Sequence, residues 1–263
     1  MKLYSKLELI EELKRIAAIG WMPNHRQGND GSVGNVLEDL LGIEENNLPI
    51  PNASEWELKA QRLNSKALTT LKHIEPSPRA IKFVPQVGLL KYGWKHELAG
   101  IIYPDNEMSF RLTIHGKSAT DRGFIIKIDR ESRRVLVSFN SKIASTIHAE
   151  WLKTVNDRIG LGELNPQPYW GFDDLEHTIG TKLMNCFYVQ ARMKKIMGKE
   201  YFHYCKVQML EKFKFDGFLA QLEAGNVLID FDARTGHNHG TKFRMRKNAL
   251  PELYQKVTTI VDV

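Results

Sequence analysis

Residues 55–62 read Glu55-Trp56-Glu57-Leu58-Lys59-Ala60-Gln61-Arg62, and their polarity alternates. Glu55, Glu57, Lys59 and Gln61 fall on one side of an extended chain and Trp56, Leu58 and Ala60 on the other, the period of a strand with one buried face. Glu57 and Lys59 then project side by side. A carboxylate there can hold a hard divalent cation such as Mg²⁺, and the neighbouring ammonium can orient or deprotonate a water and offset phosphate charge. Glu-Leu-Lys also occurs at 12–14, where helical spacing makes it an ordinary solvated pair, so the tripeptide alone identifies no site.

Upstream, Leu3, Leu7, Ile10, Leu13 and Ala17 recur at helical steps and Gly20 ends the pattern. After the turn-rich Gly28-Asn29-Asp30-Gly31-Ser32, a second helix is expected over Val33–Leu41, stopped by Gly42. Downstream, 110–115, 123–128 and 134–139 read as antiparallel strands, and 173–196 as one long helix. A strand at 201–209, a short helix at 215–224, a strand at 227–232, a loop at 235–240 and a basic strand at 242–246 follow. Strands and helices mix without a βα repeat, which predicts an α+β (mixed α/β) architecture.

The chain has 263 residues, enough for one large domain or two small ones. Lys and Arg exceed Asp and Glu by 37 − 31 = 6, a basic balance that favours polyanionic partners such as nucleic acid. Cys186 and Cys205 are too few for a disulfide framework or a Cys-rich zinc site, and no apolar run is long enough to span a bilayer. A soluble, cytoplasmic protein is expected.

Around the 55–62 strand stand Gly28-Asn29-Asp30-Gly31, Gly34, Leu37-Glu38-Asp39-Leu40-Leu41, Glu45-Asn46-Asn47-Leu48 and Pro51-Asn52. Later come Pro76-Ser77-Pro78-Arg79-Ala80, Tyr169-Trp170-Gly171-Phe172-Asp173 and His237-Asn238-His239-Gly240-Thr241 with Phe243-Arg244. In this order the segments resemble the MvaI/BcnI-type restriction endonucleases, relatives of the mismatch-repair nicking nuclease MutH within the PD-(D/E)xK superfamily. The resemblance covers nearly the whole chain, more loosely from 90 to 165. It implies a restriction-endonuclease-like core with a central mixed sheet flanked by helices, and two lobes forming a DNA cleft. The expected division is a catalytic lobe at 1–165 and a DNA-recognition lobe at 166–263.

The resemblance also implies a Mg²⁺-dependent, monomeric type II endonuclease that cuts double-stranded DNA at a short GC-containing pseudopalindrome of the CCWGG or CCSGG kind, one strand at a time. A companion methyltransferase would be present in the cell, though not as a stable complex. Glu57 matches the metal-binding Glu, Lys59 the catalytic Lys and Glu38 a supporting acidic residue. The departure is Asn52, where the family pattern has an Asp that bridges metal ions. An amide offers a neutral oxygen in place of a carboxylate, so metal affinity and catalysis should fall. The isosteric change, with the other active-site types intact, reads more as an introduced substitution than as a naturally altered member. The alternatives are a MutH-like strand-nicking nuclease and a catalytically dead, sequence-specific DNA-binding protein.

The second constellation is Asp230, Asp232, Arg234, His237, His239 and Arg244. Imidazole and guanidinium groups donate to guanine O6 and N7, and Asp accepts from the cytosine amino group. By resemblance, His237, His239, Arg244 and Asp230 match base-contacting positions, and the alignment of Asp232 and Arg234 is ambiguous by a residue or two. His237-x-His239 lacks an evident third partner for a metal. Arg192, Lys194 and Lys195, at the end of the expected 173–196 helix, read as a solvated face or non-specific phosphate contacts.

Overall fold

The computed structural model describes residues 4–26, 31–43, 55–63 and 65–263. Asn52 and Gly28-Asn29-Asp30 lie outside the described residues. The chain divides into two compact units, one made of Met1–Thr69, Glu176–Gly217 and Arg246–Val263, the other of Thr70–Leu175 and Phe218–Met245. The boundary expected at 165/166 coincides with none of the four junctions, because each unit is built from separated stretches of chain.

In the first unit, the helix Lys6–Ile19 opens on a capping box in which the Ser5 hydroxyl accepts from the Glu8 amide and the Glu8 carboxylate accepts from the Ser5 amide. Gly20, at φ +82°, ends it as the sequence predicts. Its buried stripe is Leu9, Leu13, Ile16 and Ala17, while Leu7 is exposed. Adjacent rows of a leucine-rich helix are equally apolar, and the position of the sheet selects between them. The helix Ser32–Leu41 buries Val33, Val36, Leu37 and Leu41, and Gly42 closes it in the left-handed conformation.

These helices cover one face of a mixed five-stranded sheet. Met22–Pro23, Lys199–Phe213, Asn185–Ile196 and Glu57–Arg62 pair in that order, and Tyr254–Asp262 joins along Lys199–Phe213. Glu57–Arg62 runs parallel to Asn185–Ile196, with Glu57 opposite Cys186 and Arg62 opposite Ala191, and the other pairings are antiparallel. Trp56 and Leu58 point to the helix side with Phe187, Val189 and Ala191, which together form the apolar core. The opposite face carries Glu57, Lys59 and Gln61 beside Cys186, Tyr188 and Gln190.

The helix expected over 173–196 is a correction. It spans Phe172–Leu183, and the chain then turns into the strand Asn185–Ile196. The run Cys186–Ala191 is buried on both faces, so it has neither a two-residue nor a 3.6-residue period, and only its aromatic and β-branched residues hinted at a strand. Arg192, Lys194 and Lys195 therefore sit on a strand, not a helix.

In the second unit, Thr69–His73, His237–Met245, Val227–Arg234, Met108–Ile114 and Trp94–Lys95 form a five-stranded sheet in that order. A smaller sheet pairs Phe124–Asp129, Arg134–Phe139 and Tyr169–Gly171. Phe83, Phe110 and Phe231 pack edge-on or tilted, and Tyr92, Phe124, Phe139 and Trp151 continue the aromatic core. Burial raises the Tyr92 phenol to about 12. The loop expected at 235–240 is a two-residue turn, Thr235-Gly236, so His237, Asn238 and His239 already belong to a strand. Polar residues at a strand start mimic a loop in sequence because neither face there is buried.

Candidate active site and nucleic-acid interface

Glu57 is the centre of the first site. Its side chain is 1% exposed, although the alternating pattern suggested a solvated face. Lys59 Nζ lies 2.6 Å from Glu57 Oε1, and Lys182 Nζ, from the last turn of the helix Phe172–Leu183, lies 3.7 Å from the same oxygen. Glu57 Oε2 is buried with no hydrogen-bond partner among the described residues. A buried carboxylate oxygen left without a donor is costly unless another ligand satisfies it. Two ammonium groups balance the charge of one carboxylate and leave a surplus of positive charge.

The surroundings keep this carboxylate dry. Burial first, and then the Glu57 charge, push the Cys186 thiol far above its ordinary range. Burial and the same neighbours raise the phenol of Tyr254, whose hydroxyl lies by Cys186 without reaching hydrogen-bond geometry. Along the same face, Tyr188 donates to Gln61 Oε1 at 2.6 Å, and Gln190 Nε2 donates to Tyr188 Oη at 3.2 Å and to Asn248 Oδ1 at 3.0 Å. This chain of side chains fixes the strand two residues beyond Lys59.

Behind the strand, Arg62 donates to Ser32 Oγ at 2.9 Å and to Glu200 at 3.3 Å, and Asn24 donates to the same Ser32 and Glu200. The network ties the start of the Ser32–Leu41 helix to the end of the Glu57–Arg62 strand. Glu38 is half-buried on that helix, which packs against the apolar side of the sheet. Among the described residues, the cations within 4 Å of the Glu57 carboxylate are Lys59 and Lys182. Lys182 had no signal in the sequence, since only folding brings it 123 positions back to Lys59. Glu55 is exposed, as expected.

The second constellation lies on one face of the larger sheet in the second unit. Asp230, Asp232 and Arg234 alternate along their strand, while Ile229, Phe231 and Ala233 face the core. Arg244 donates to Asp230 Oδ2 at 2.7 Å, and Thr113 donates to Asp230 Oδ1 at 2.7 Å. Lys242 donates to Asp232 Oδ2 at 3.2 Å, and Arg111 Nε stands 2.9 Å from Asp232 Oδ1 as an ion pair without hydrogen-bond geometry. Arg234 donates to Glu107 at 2.9 Å and stacks on Tyr103. Burial works to raise the Asp232 carboxyl, but the Lys242 hydrogen bond and the charges of Lys242, Arg111 and His239 outweigh it and hold the group below its usual range.

His237 and His239 are exposed and pack edge to face with ring centroids 4.3 Å apart. Glu75 anchors their strand, accepting from the Thr241 amide at 2.8 Å and its hydroxyl at 2.9 Å. All six sequence-assigned residues thus occupy two adjacent strands. Sequence reading missed Arg111, Thr113, Glu107 and Glu75. For Arg111 and Thr113 the alternation with buried Phe110, Leu112 and Ile114 was the available signal. Among the described residues no three His, Cys, Asp or Glu side chains gather as a metal cluster, and no helix is long and apolar enough to cross a membrane.

The sequence profile of the MvaI/BcnI restriction endonuclease family matches residues 10–254. The chain belongs to the MvaI/BcnI restriction endonuclease family. It is a type II site-specific deoxyribonuclease, with a restriction-endonuclease fold of the mixed α+β class. Among solved structures, the chain resembles the complex of restriction endonuclease MvaI with its cognate DNA substrate, at TM-score 0.75 and 26% identity over 99% of this chain and 100% of that one. It also resembles MvaI in the absence of DNA, at TM-score 0.54 and 24% identity with the same coverage, a likeness of fold. No curated protein sequence matches.

Proposed function

We propose that this chain cuts double-stranded DNA at the Glu57–Lys59 site with the help of Mg²⁺. The target is a short GC-containing pseudopalindrome of the CCWGG or CCSGG kind, cut one strand at a time by a cytoplasmic monomer whose companion methyltransferase is not stably bound. The observation that carries this reading is the buried Glu57 Oε2, without a hydrogen-bond partner among the described residues, beside the Lys59 ammonium.

The residues fit the ion. Mg²⁺ takes one or two carboxylates and completes its shell with water and substrate phosphate, so a single buried carboxylate with one open oxygen suits it without a ligand cluster. Glu57 would hold the ion, with the Asn52 side-chain oxygen as the second protein ligand. When bound, it supplies a Lewis acid for the scissile phosphate and a more acidic water. Lys59, held against Glu57 Oε1, orients the attacking water and holds a proton near the phosphate. Lys182 offsets the negative charge that gathers there, and Glu38 acts as a supporting carboxylate. Because Asn52 offers no charge, this chain is inactive or weakened as it stands.

Specific reading falls to Asp230, Asp232, Arg234, His237, His239 and Arg244. The Asp230 carboxylate holds Arg244, Asp232 holds Lys242 and Glu107 holds Arg234, so the donors and acceptors are set in place for base edges. The test is digestion of unmethylated phage DNA with Mg²⁺ by this protein and its Asn52→Asp variant, followed by sequencing of the ends. A discrete ladder from the variant alone supports the assignment. Cutting by the unmodified protein would overturn the role given to Asn52, and specific binding without cutting by either would favour a catalytically dead DNA-binding protein.

A further inference from the structure

The face of the sheet that carries Glu57 continues beyond Gln190. Alternate residues of the Asn185–Ile196 strand keep to one side, so Cys186, Tyr188 and Gln190 are followed by Arg192, Lys194 and Ile196. Across the hairpin, Arg192 pairs with His203, Lys194 with Tyr201 and Ile196 with Lys199. Trp21 joins this face, tilted against His203 at 5.6 Å, with Lys194 Nζ 4.2 Å above its ring. The two strands meet at Met197-Gly198, both left-handed, the tight turn that suits a twisted hairpin. Met197 is 98% exposed.

The charge on this face is unbalanced. Among the described residues no carboxylate pairs with Arg192, Lys194 or Lys199, whereas Lys195, on the other side of the same strand, meets Glu200 at 3.6 Å. The cations of the 230–244 face are in the opposite condition, because Arg244, Lys242, Arg111 and Arg234 each meet a carboxylate. Neutralised side chains add little long-range attraction to a polyanion, while unpaired ones release counterions when they meet phosphates.

We propose that this hairpin face is a second DNA-binding surface, gripping the phosphate backbone of duplex that flanks the cleavage site without reading its sequence. The inference rests on Glu57 being the cutting centre. Arg192 and Lys194 lie six and eight residues along the strand from Cys186, the partner of Glu57, or about 20 and 26 Å at the usual rise. Duplex following the strand would present phosphates there about six to eight base pairs from the cut. That is beyond a site of the CCWGG length. Trp21, Tyr201 and His203 supply donors and flat surfaces against the sugar-phosphate chain.

The experiment measures binding against salt concentration for the unmodified protein and an Arg192→Gln/Lys194→Gln/Lys199→Gln variant. It uses a cognate duplex of about 30 base pairs, a one-base mismatch of the same length, and a cognate duplex trimmed to the site with a few flanking pairs. Thermal unfolding verifies that the variant, altered only at exposed or half-exposed positions, is folded. The expected result is a slope of log affinity against log salt that is smaller by about 2–3 in the variant, at about 0.9 per lost phosphate contact. The loss should be equal for matched and mismatched long duplexes and absent on the trimmed one. An unchanged slope on the long duplex, or a loss confined to the cognate sequence, overturns the inference and leaves the proposed function standing. Failure of the unmodified protein to discriminate the two long duplexes overturns the proposed function instead.

Discussion

Arg244 and Asp230 face each other across two adjacent strands at 2.7 Å, and with Thr113 on the other oxygen each oxygen of the Asp230 carboxylate accepts one hydrogen bond from within the protein. Removing the guanidinium strands a largely buried negative charge. Arg244→Ala should therefore cost about 1–3 kcal/mol of stability, and Arg244→Ala with Asp230→Ala should cost less than the sum of the single changes. Urea unfolding of the four proteins in the cycle measures the coupling, and strict additivity would mean that the pair contributes nothing.

His239 is exposed and its ring packs against the equally exposed His237, so its loss should leave the fold intact. As a base reader, His239→Ala should narrow the affinity gap between cognate DNA and a one-base variant by about 1–3 kcal/mol. Competition binding at fixed salt is the check, and an unaltered gap would remove His239 from the reading set.

Lys59→Ala, made together with Asn52→Asp, should abolish single-turnover cleavage while sparing DNA binding, because the ammonium lies against the Glu57 carboxylate. Cleavage that survives the change would show that Lys59 is dispensable to the chemical step.

Tyr188→Phe leaves Gln61 Oε1 without its 2.6 Å donor in a site where both side chains are buried. The expected cost is about 1–3 kcal/mol. Pairing it with Gln61→Met removes the stranded Gln61 oxygen and should recover part of that loss, the remainder being the Gln190 donor and the Ala67 carbonyl, which lose a partner each. Denaturation midpoints of the single and double variants decide the point.

The Asn24 hydrogen bond depresses the Glu200 carboxyl below its usual 4.5, burial opposes it, and the charges of Arg62 and Lys195 add to the lowering. A depressed folded-state value contributes stability that is present above the ordinary value and lost as pH falls through the folded one. Stability should therefore decline below about pH 4.5, and Glu200→Gln should flatten that decline. Unfolding followed from about pH 6 to 3 compares the two, and parallel curves would contradict the assignment.

The two-residue period at 55–62 revealed the strand, its apolar side and the adjacency of Glu57 and Lys59, all of which depend on neighbours in sequence. Burial of Glu57 was hidden, because Tyr254 and Lys182, which enclose it, come from distant segments. The Phe172–Leu183 helix and the strand after it merged in the sequence for a related reason: a doubly buried strand has no polar side to betray its period. His237 and His239 were read as part of a loop, and the structure places them on a strand. The ion pairs that hold Asp232 and Arg234 were missed because Arg111 and Glu107 lie more than a hundred positions away.

The parallel pairing of Glu57–Arg62 with Asn185–Ile196 governs when the Glu57–Lys59 pair can be set in place during synthesis. The first 62 residues contain Glu57 and Lys59, yet the strand that fixes them is made more than a hundred residues later, and Tyr254, which closes over Cys186, later still. Closing so long a loop delays the contact, so the centre forms late in folding. Chains that stall or break before residue 185 carry Glu57 and Lys59 but lack the strand that Glu57–Arg62 pairs with. An interrupted product of this kind therefore carries Glu57 and Lys59 without the buried setting that the whole chain gives them.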